Sequence, residues 1–117
     1  MLITLLKSKI HRATVTAANL DYIGSITIDT DLMRLAGLVP WEKVLIANIN
    51  NGERMESYVI EGRAGSGVIA LNGAAARKGS VGDKVIILAF AHMEQPQAVG
   101  FKPLTVLVDK DNKPVKA

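Results

Sequence analysis

The chain has 117 residues, of which 49% are hydrophobic but only 4% aromatic, and it carries a formal charge of +3. That length supports one domain with one core, and the aliphatic excess points to further apolar surface buried between subunits. The absence of cysteine excludes disulfides and thiolate zinc sites. The longest apolar run, from Val85 to Ala91, is far below the ~20 residues of a membrane helix. Basic residues are dispersed except for Lys110, Lys113 and Lys116, which share their tail with Asp109 and Asp111 and read as solvated rather than as a nucleic-acid arm. The opening residues are too short and gain positive charge too late for a signal peptide, so the cytoplasm is the expected compartment.

In chain order, residues 3–6 and 12–16 read as strands, and residues 25–28 alternate in the same sense. Asp29-Thr30-Asp31 can cap a short helix with Leu32, Leu35 and Ala36 on one face and Gly37 as its stop. A strand over 44–49 leads into Asn50-Asn51-Gly52-Glu53, the clearest hairpin signal of the chain, and returns over 54–60. Residues 68–71 form a further strand, and Ala74-Ala75-Ala76 can make one helical turn after Asn72-Gly73. Residues 85–90 read as an apolar strand covered on both faces, and 105–108 as the last strand. Many short strands with two small helical pieces predict a single closed, mainly β barrel.

His11 and His92 have no partner at metal-ligand spacing, so no metal site is expected. Asn72-Gly73-Ala74-Ala75-Ala76 is either a tight turn into a helix or a row of N–H groups for an anion or oxyanion. Lys9 and His11 share a face if their segment is extended, as do Arg54 and Tyr58. Two cations and a phenol suit a small dicarboxylate, although each taken alone reads more readily as surface charge or a packed tyrosine. Gly24-Ser25 adds a further chemistry. A serine hydroxyl can attack the carbonyl of a preceding glycine, whose lack of a side chain leaves that peptide free to distort. The same dipeptide recurs at Gly65-Ser66 and Gly79-Ser80, so only its surroundings distinguish it.

Those surroundings are Lys9-Ile10-His11-Arg12, Val15-Thr16, Leu20-Asp21-Tyr22-Ile23-Gly24-Ser25, Asn51-Gly52, Arg54, Tyr58, Asn72-Gly73-Ala74-Ala75-Ala76 and Ser80-Val81-Gly82-Asp83. At this spacing the set resembles the pyruvoyl-dependent aspartate 1-decarboxylases, from about Met1 to Phe90. The resemblance implies a double-psi β-barrel assembled as a homotetramer, with active sites between subunits. It implies self-cleavage between Gly24 and Ser25 into chains 1–24 and 25–117, with Ser25 becoming a pyruvoyl group. That ketone would form an imine with L-aspartate, and loss of the α-carboxylate would give β-alanine for pantothenate and coenzyme A. By the same resemblance Tyr58 is the proton donor and Lys9 and Arg54 bind substrate carboxylates. Gly73, Ala74 and Ala75 line the pocket, and Asn72 steadies an oxyanion.

Ser57 stands where the family commonly has threonine; it keeps the hydroxyl but loses the methyl that fixes its rotamer. A regular strand would turn Ser57 away from Arg54 and Tyr58, so a bulge or a subunit boundary must reconcile them. Whether a helper protein promotes cleavage is left open. A small DNA-binding β domain and a catalytically silent barrel are the rival readings. The first has no reason to hold Lys9, Gly24-Ser25, Arg54 and Tyr58 together, and intact mass tells the second apart, since an unprocessed chain cannot carry the cofactor.

Overall fold

A computed structural model describes residues 1–115; Lys116, counted above with the solvated tail, lies outside them. The first element is one continuous strand, β1 (Leu2–Thr14), where the sequence suggested two. The polar Lys7-Ser8-Lys9 hid the connection. Register shifts after Leu6 and Ile10, with Arg12 at φ 62°, let the strand bend without ending. Antiparallel β7 (Lys84–Glu94) pairs along one edge of β1 and parallel β8 (Leu104–Val108) along the other.

The remaining strands are β2 (Ala17–Asn19), β3 (Ser25–Asp29), β4 (Lys43–Asn48), β5 (Arg54–Gly62), β6 (Ile69–Asn72) and β9 (Pro114–Val115). Their order across the sheet is β2-β6-β3-β5-β4-β7-β1-β8-β9. The sheet curls back on itself just past β1. Thr16 N–H donates to the Ile69 carbonyl at 2.8 Å, and Val15 exchanges backbone bonds with Asp83 and Gly82. The mainly β, barrel-like expectation therefore holds. Ile10, Ile26, Ile28, Ile69, Leu71, Ile87 and the valines between them fill the interior.

Helix α1 (Thr30–Ala36) begins as expected, with the Asp29 carboxylate accepting from Asp31 N–H and Gly37 closing it at φ 67°. Its buried face differs from expectation. Leu32, Met33 and Ala36 enter the core, whereas Leu35 is exposed. The hairpin forms at residues 49–53, where the Asn48 side chain accepts from Asn50 and Asn51 N–H and Gly52 takes φ 76°. In β7, Val85, Ile87 and Ala89 are buried, but Ile86 and Leu88 are only half-buried and Phe90 is exposed. The expectation of cover on both faces fails within one chain, because no second layer packs on the outer side. Short β2, β9 and α2 (Gln95–Ala98) carry too few residues to show periodicity.

Candidate active site

Ser25 is the first residue of β3 and is 1% exposed, directly after an exposed segment in which Ile23 is 78% exposed. An accessible loop thus meets a buried strand at the Gly24–Ser25 peptide. In the antiparallel ladder Ser25 faces Asn72, the last residue of β6. The Asn72 amide donates to Ser25 Oγ at 3.0 Å and to Thr27 Oγ1 at 2.9 Å. Ser25 Oγ in turn donates to the Ile23 carbonyl at a long 3.3 Å. The nucleophile is therefore fixed by an amide and weakly committed as a donor. Both Asn72 hydrogens go to hydroxyls, so in the uncut chain the amide holds the attacking oxygen rather than the Gly24 carbonyl. Thr27 completes this arrangement, and nothing in its sequence context sets it apart from the other strand threonines.

The Asn72-Gly73 turn has a structural reason for its glycine. Gly73 sits at φ 64°, and a Cβ there would lie 2.7 Å from Gly24 Cα, 2.8 Å from Gly24 N and 2.9 Å from the Tyr22 carbonyl oxygen. All three are backbone atoms of the loop that precedes Ser25. Gly73 opens a 3-10 turn (Gly73–Lys78) in which Ala75 is buried and Ala74 exposed. The far end of this turn is tied down by Asn48, whose amide donates to the Lys78 carbonyl and to Asp83. That bond, together with Ser80 N–H, holds the Asp83 carboxyl below its usual range.

Parallel pairing sets Ile26 of β3 beside Val59 of β5, which brings Tyr58 to the rung of Ser25. The β4–β5 register is unbroken from Arg54 to Tyr58. No bulge there reconciles Ser57 with its neighbours, so Ser57 stays on the face opposite Arg54 and Tyr58. Arg54 lies four residues along β5, about 13 Å from the rung of Tyr58. Lys9 is farther away. Its rung crosses Leu88 and Leu45 to reach Glu56, so three strand spacings, about 14 Å, separate β1 from β5. Among the described residues neither Lys9 nor Arg54 makes an ion pair.

Beside Lys9, His11 is partly buried with Nδ1 lacking a partner. Burial, then the charges of Lys9 and Arg12, lower its pKa, so it is neutral at pH 7. Lys9 and Arg12 therefore carry the positive charge around this ring, and Arg54 carries that on β5. A surface groove of about 410 Å³, with Leu45, Glu56, Phe90 and His92 in its lining, includes none of Ser25, Asn72 or Tyr58. It follows the outer face of β4, β5 and β7.

Trp41 was not anticipated. Its ring stacks on Tyr58 with centroids 5.8 Å apart and planes at 30°. It stands at φ 75°, a conformation that costs a bulky residue about 1–3 kcal/mol. The only sequence cue is that it is the one tryptophan in the chain.

These elements define a small β-barrel protein with a buried, amide-held serine behind an exposed glycine. Comparison with known proteins gives the family. The aspartate decarboxylase family model matches residues 1–115. The aspartate 1-decarboxylase of Carboxydothermus hydrogenoformans is 58% identical over 99% of this chain and 91% of its own length. Those of Caldicellulosiruptor saccharolyticus and Lactiplantibacillus plantarum are 60% and 59% identical, covering 91% and 89% of their own lengths. The chain belongs to the aspartate decarboxylase family.

Proposed function

We propose that this chain is a carboxy-lyase that removes the α-carboxylate of L-aspartate to give β-alanine and carbon dioxide, serving pantothenate and coenzyme A biosynthesis. The electrophile it uses is a pyruvoyl group made from its own Ser25. The observation that carries this reading is the Ser25 hydroxyl, buried, fixed by Asn72 and set behind a glycine with free space around it. A Cβ built on Gly24 meets nothing within 4 Å, so glycine there serves access to its carbonyl rather than packing.

In maturation, Ser25 Oγ attacks the Gly24 carbonyl carbon and the peptide C–N bond breaks, leaving an ester and a free amine at residue 25. The Asn72 amide, already on Oγ, holds that oxygen in place for the attack. Elimination then releases Gly24 as a carboxylate and leaves dehydroalanine, which adds water and loses ammonia to become the ketone. The products are chains 1–24 and 25–117.

The site can hold such a group: the Asn72 amide beside Ser25 is left without its Oγ partner once that oxygen departs and would be a free donor there, and Tyr58 stands on the adjacent strand. When formed, a pyruvoyl group supplies a carbonyl that takes the substrate amine and accepts the electron pair left by carbon dioxide. The Tyr58 hydroxyl gives its proton to the substrate carbon. Lys9 and Arg54 bind the carboxylates and Gly73, Ala74 and Ala75 shape the pocket, which Ser57, on the opposite face of β5, joins across a subunit boundary. Within one chain three strand spacings, about 14 Å, separate the backbones of Lys9 and of the strand that carries Arg54. That separation supports a site completed by a neighbouring copy in a homotetramer, and the half-covered outer face of β7 fits the same assembly. No helix among the described residues is long and apolar enough to cross a membrane, and we assign the enzyme to the cytoplasm.

Denaturing mass spectrometry with a β-alanine assay tests the proposal. Purified protein should yield two chains divided at Gly24–Ser25, the larger one blocked to Edman sequencing, and Ser25→Ala should yield one folded, inactive chain. Full activity in Ser25→Ala would overturn it. Cleavage that proceeds only after adding cell extract would reveal a helper protein.

A further inference from the structure

Trp41 is held with more care than an exposed side chain requires. The residue is 72% exposed, so burial does not explain its left-handed backbone. Its N–H donates to the Val59 carbonyl at 2.7 Å, and Val59 N–H donates to the Glu42 carbonyl at 3.0 Å. Residues 41 and 42 thereby bond to the residue immediately after Tyr58. The turn over residues 39–42 is closed by Glu42, whose N–H donates to the Val39 carbonyl at 3.2 Å. The Glu42 carboxylate accepts from Val39 N–H at 3.0 Å and from the Lys7 ammonium at 2.8 Å. A turn tied at both ends thus lays the indole over the Tyr58 ring, the one aromatic pair among the described residues.

We propose that Trp41 is a positioning residue for Tyr58, whose backbone lies on the rung of Ser25: the indole is a fixed platform that restricts rotation of the phenol. The inference rests on the reading of Tyr58 as proton donor. A phenol free to rotate about its side-chain bonds spends part of its time out of reach of the carbon it must protonate. A stacked ring limits that freedom without touching the substrate. Offset stacks of this kind contribute enough to change a rate by about two- to tenfold.

Three substitutions and one spectroscopic signal test this. Trp41→Phe should keep most of the turnover rate because a ring remains. Trp41→Ala and Trp41→Gly should lower kcat about two- to tenfold with KM for aspartate unchanged, while self-cleavage proceeds as in the wild type. The glycine variant relieves the backbone strain, so a loss shared with alanine belongs to the ring. Because Trp41 is the only tryptophan, its fluorescence reports the stack directly. Tyr58→Ala should shift emission to the red and increase acrylamide quenching, whereas Tyr58→Phe should do neither.

Unchanged emission and quenching in Tyr58→Ala, or wild-type kcat in both Trp41→Ala and Trp41→Gly, overturns the proposal. A rise in KM at constant kcat also overturns it, by making Trp41 a substrate contact. If Tyr58→Phe turns over normally, the proton-donor reading fails and this inference falls with it. If only the Trp41 variants turn over normally, the donor reading stands and the platform alone is lost.

Discussion

The two ends of β3 are built on opposite principles. At its C-terminal end, Asp29 is 2% exposed and its carboxylate accepts from Asp31 N–H at 2.8 Å, Gly65 N–H at 3.0 Å and Gly67 N–H at 2.8 Å. Asn112, at φ 59°, completes the knot. It accepts from Thr14 N–H at 2.7 Å and donates to the carbonyls of Thr14 and Gly67. Lys113 adds a bond to the Gly65 carbonyl. One cluster thus joins β1, β3, the 65–67 turn and the C-terminal hairpin. At the N-terminal end, Ser25 has one firm bond and one long one, and the residues before it are exposed. Five residues therefore pass from a fully committed polar group to an uncommitted nucleophile. Stability comes from hydrogen bonds that are all made, whereas chemistry needs one that is not.

Exchanging these ends by mutation gives the largest contrast. Ser25→Ala should abolish cleavage and β-alanine formation at a smaller stability cost of about 1–3 kcal/mol, since one Asn72 N–H loses its acceptor. Asp29→Ala should do the reverse. Three buried N–H groups lose their acceptor, at a cost of at least about 3 kcal/mol, yet the fraction that remains folded should still cleave at Gly24–Ser25. Paired urea titrations and intact-mass measurements check both halves. Loss of cleavage in folded Asp29→Ala would show that the two ends are coupled through β3.

The substrate cations come next in size. Arg54→Ala and Lys9→Ala each remove a charge-assisted contact, which should weaken aspartate capture by roughly ten- to a hundredfold. Arg54→Lys should not restore it, because an ammonium lacks the guanidinium fork. Steady-state kinetics on fully cleaved protein isolates this effect from maturation. Unchanged kcat/KM in Arg54→Ala would place the carboxylate site elsewhere.

Gly73 sharpens the comparison, because it touches the reactive end through backbone alone. Gly73→Ala forces either the turn or the Gly24 loop to shift and should slow self-cleavage. Gly73→Asn discriminates between causes. Asparagine tolerates positive φ, so a defect equal to that of alanine belongs to the collision with Gly24 and not to backbone strain. Gly52 is the control, since it has φ 76° but open space at its Cβ, and Gly52→Asn should cleave normally. Timed gels of freshly purified precursor give the rates. Normal cleavage in both Gly73 variants would mean that the loop position is not critical.

Much of this was legible before any coordinates. The cap at Asp29, the stop at Gly37 and the hairpin at Asn51-Gly52 are local, so short-range residue chemistry decides them. The pairing of Ser25 with Asn72 was accessible only through the motif that named both residues, because 47 positions separate them. What escaped has nonlocal causes. Leu35 fits the helix face as well as Met33 does, and the packing of neighbouring strands selects between them. Asn112 is an unremarkable tail residue until its hairpin meets Thr14 and Gly67. Trp41 carries no periodic signal, and its role arises only where its turn crosses β5.

The smallest predicted effect is the acid response of the knot. Burial alone pushes the Asp29 carboxyl up. The N–H groups of Gly67, Asp31 and Gly65, with the Lys113 ammonium, outweigh it and hold the group below the ordinary carboxylate range. The folded chain therefore binds fewer protons than the unfolded chain between that depressed value and about 3.9, the unfolded value. The contribution is complete above the unfolded value and is lost as pH falls through the folded one. Urea midpoints should thus decline as pH drops below about 5. Asp29→Asn should start lower, because its NH₂ confronts backbone N–H donors, and should decline less steeply because the charge has gone. Some slope should persist from Asp83 and Asp109, whose carboxyls are also held low, by the Asn48 amide with Ser80 N–H and by the N–H groups of Lys113 and Asp111. A slope in Asp29→Asn equal to that of the wild type would show that the knot depends on geometry and not on the carboxylate's charge, and would place the acid sensitivity on those two outer aspartates.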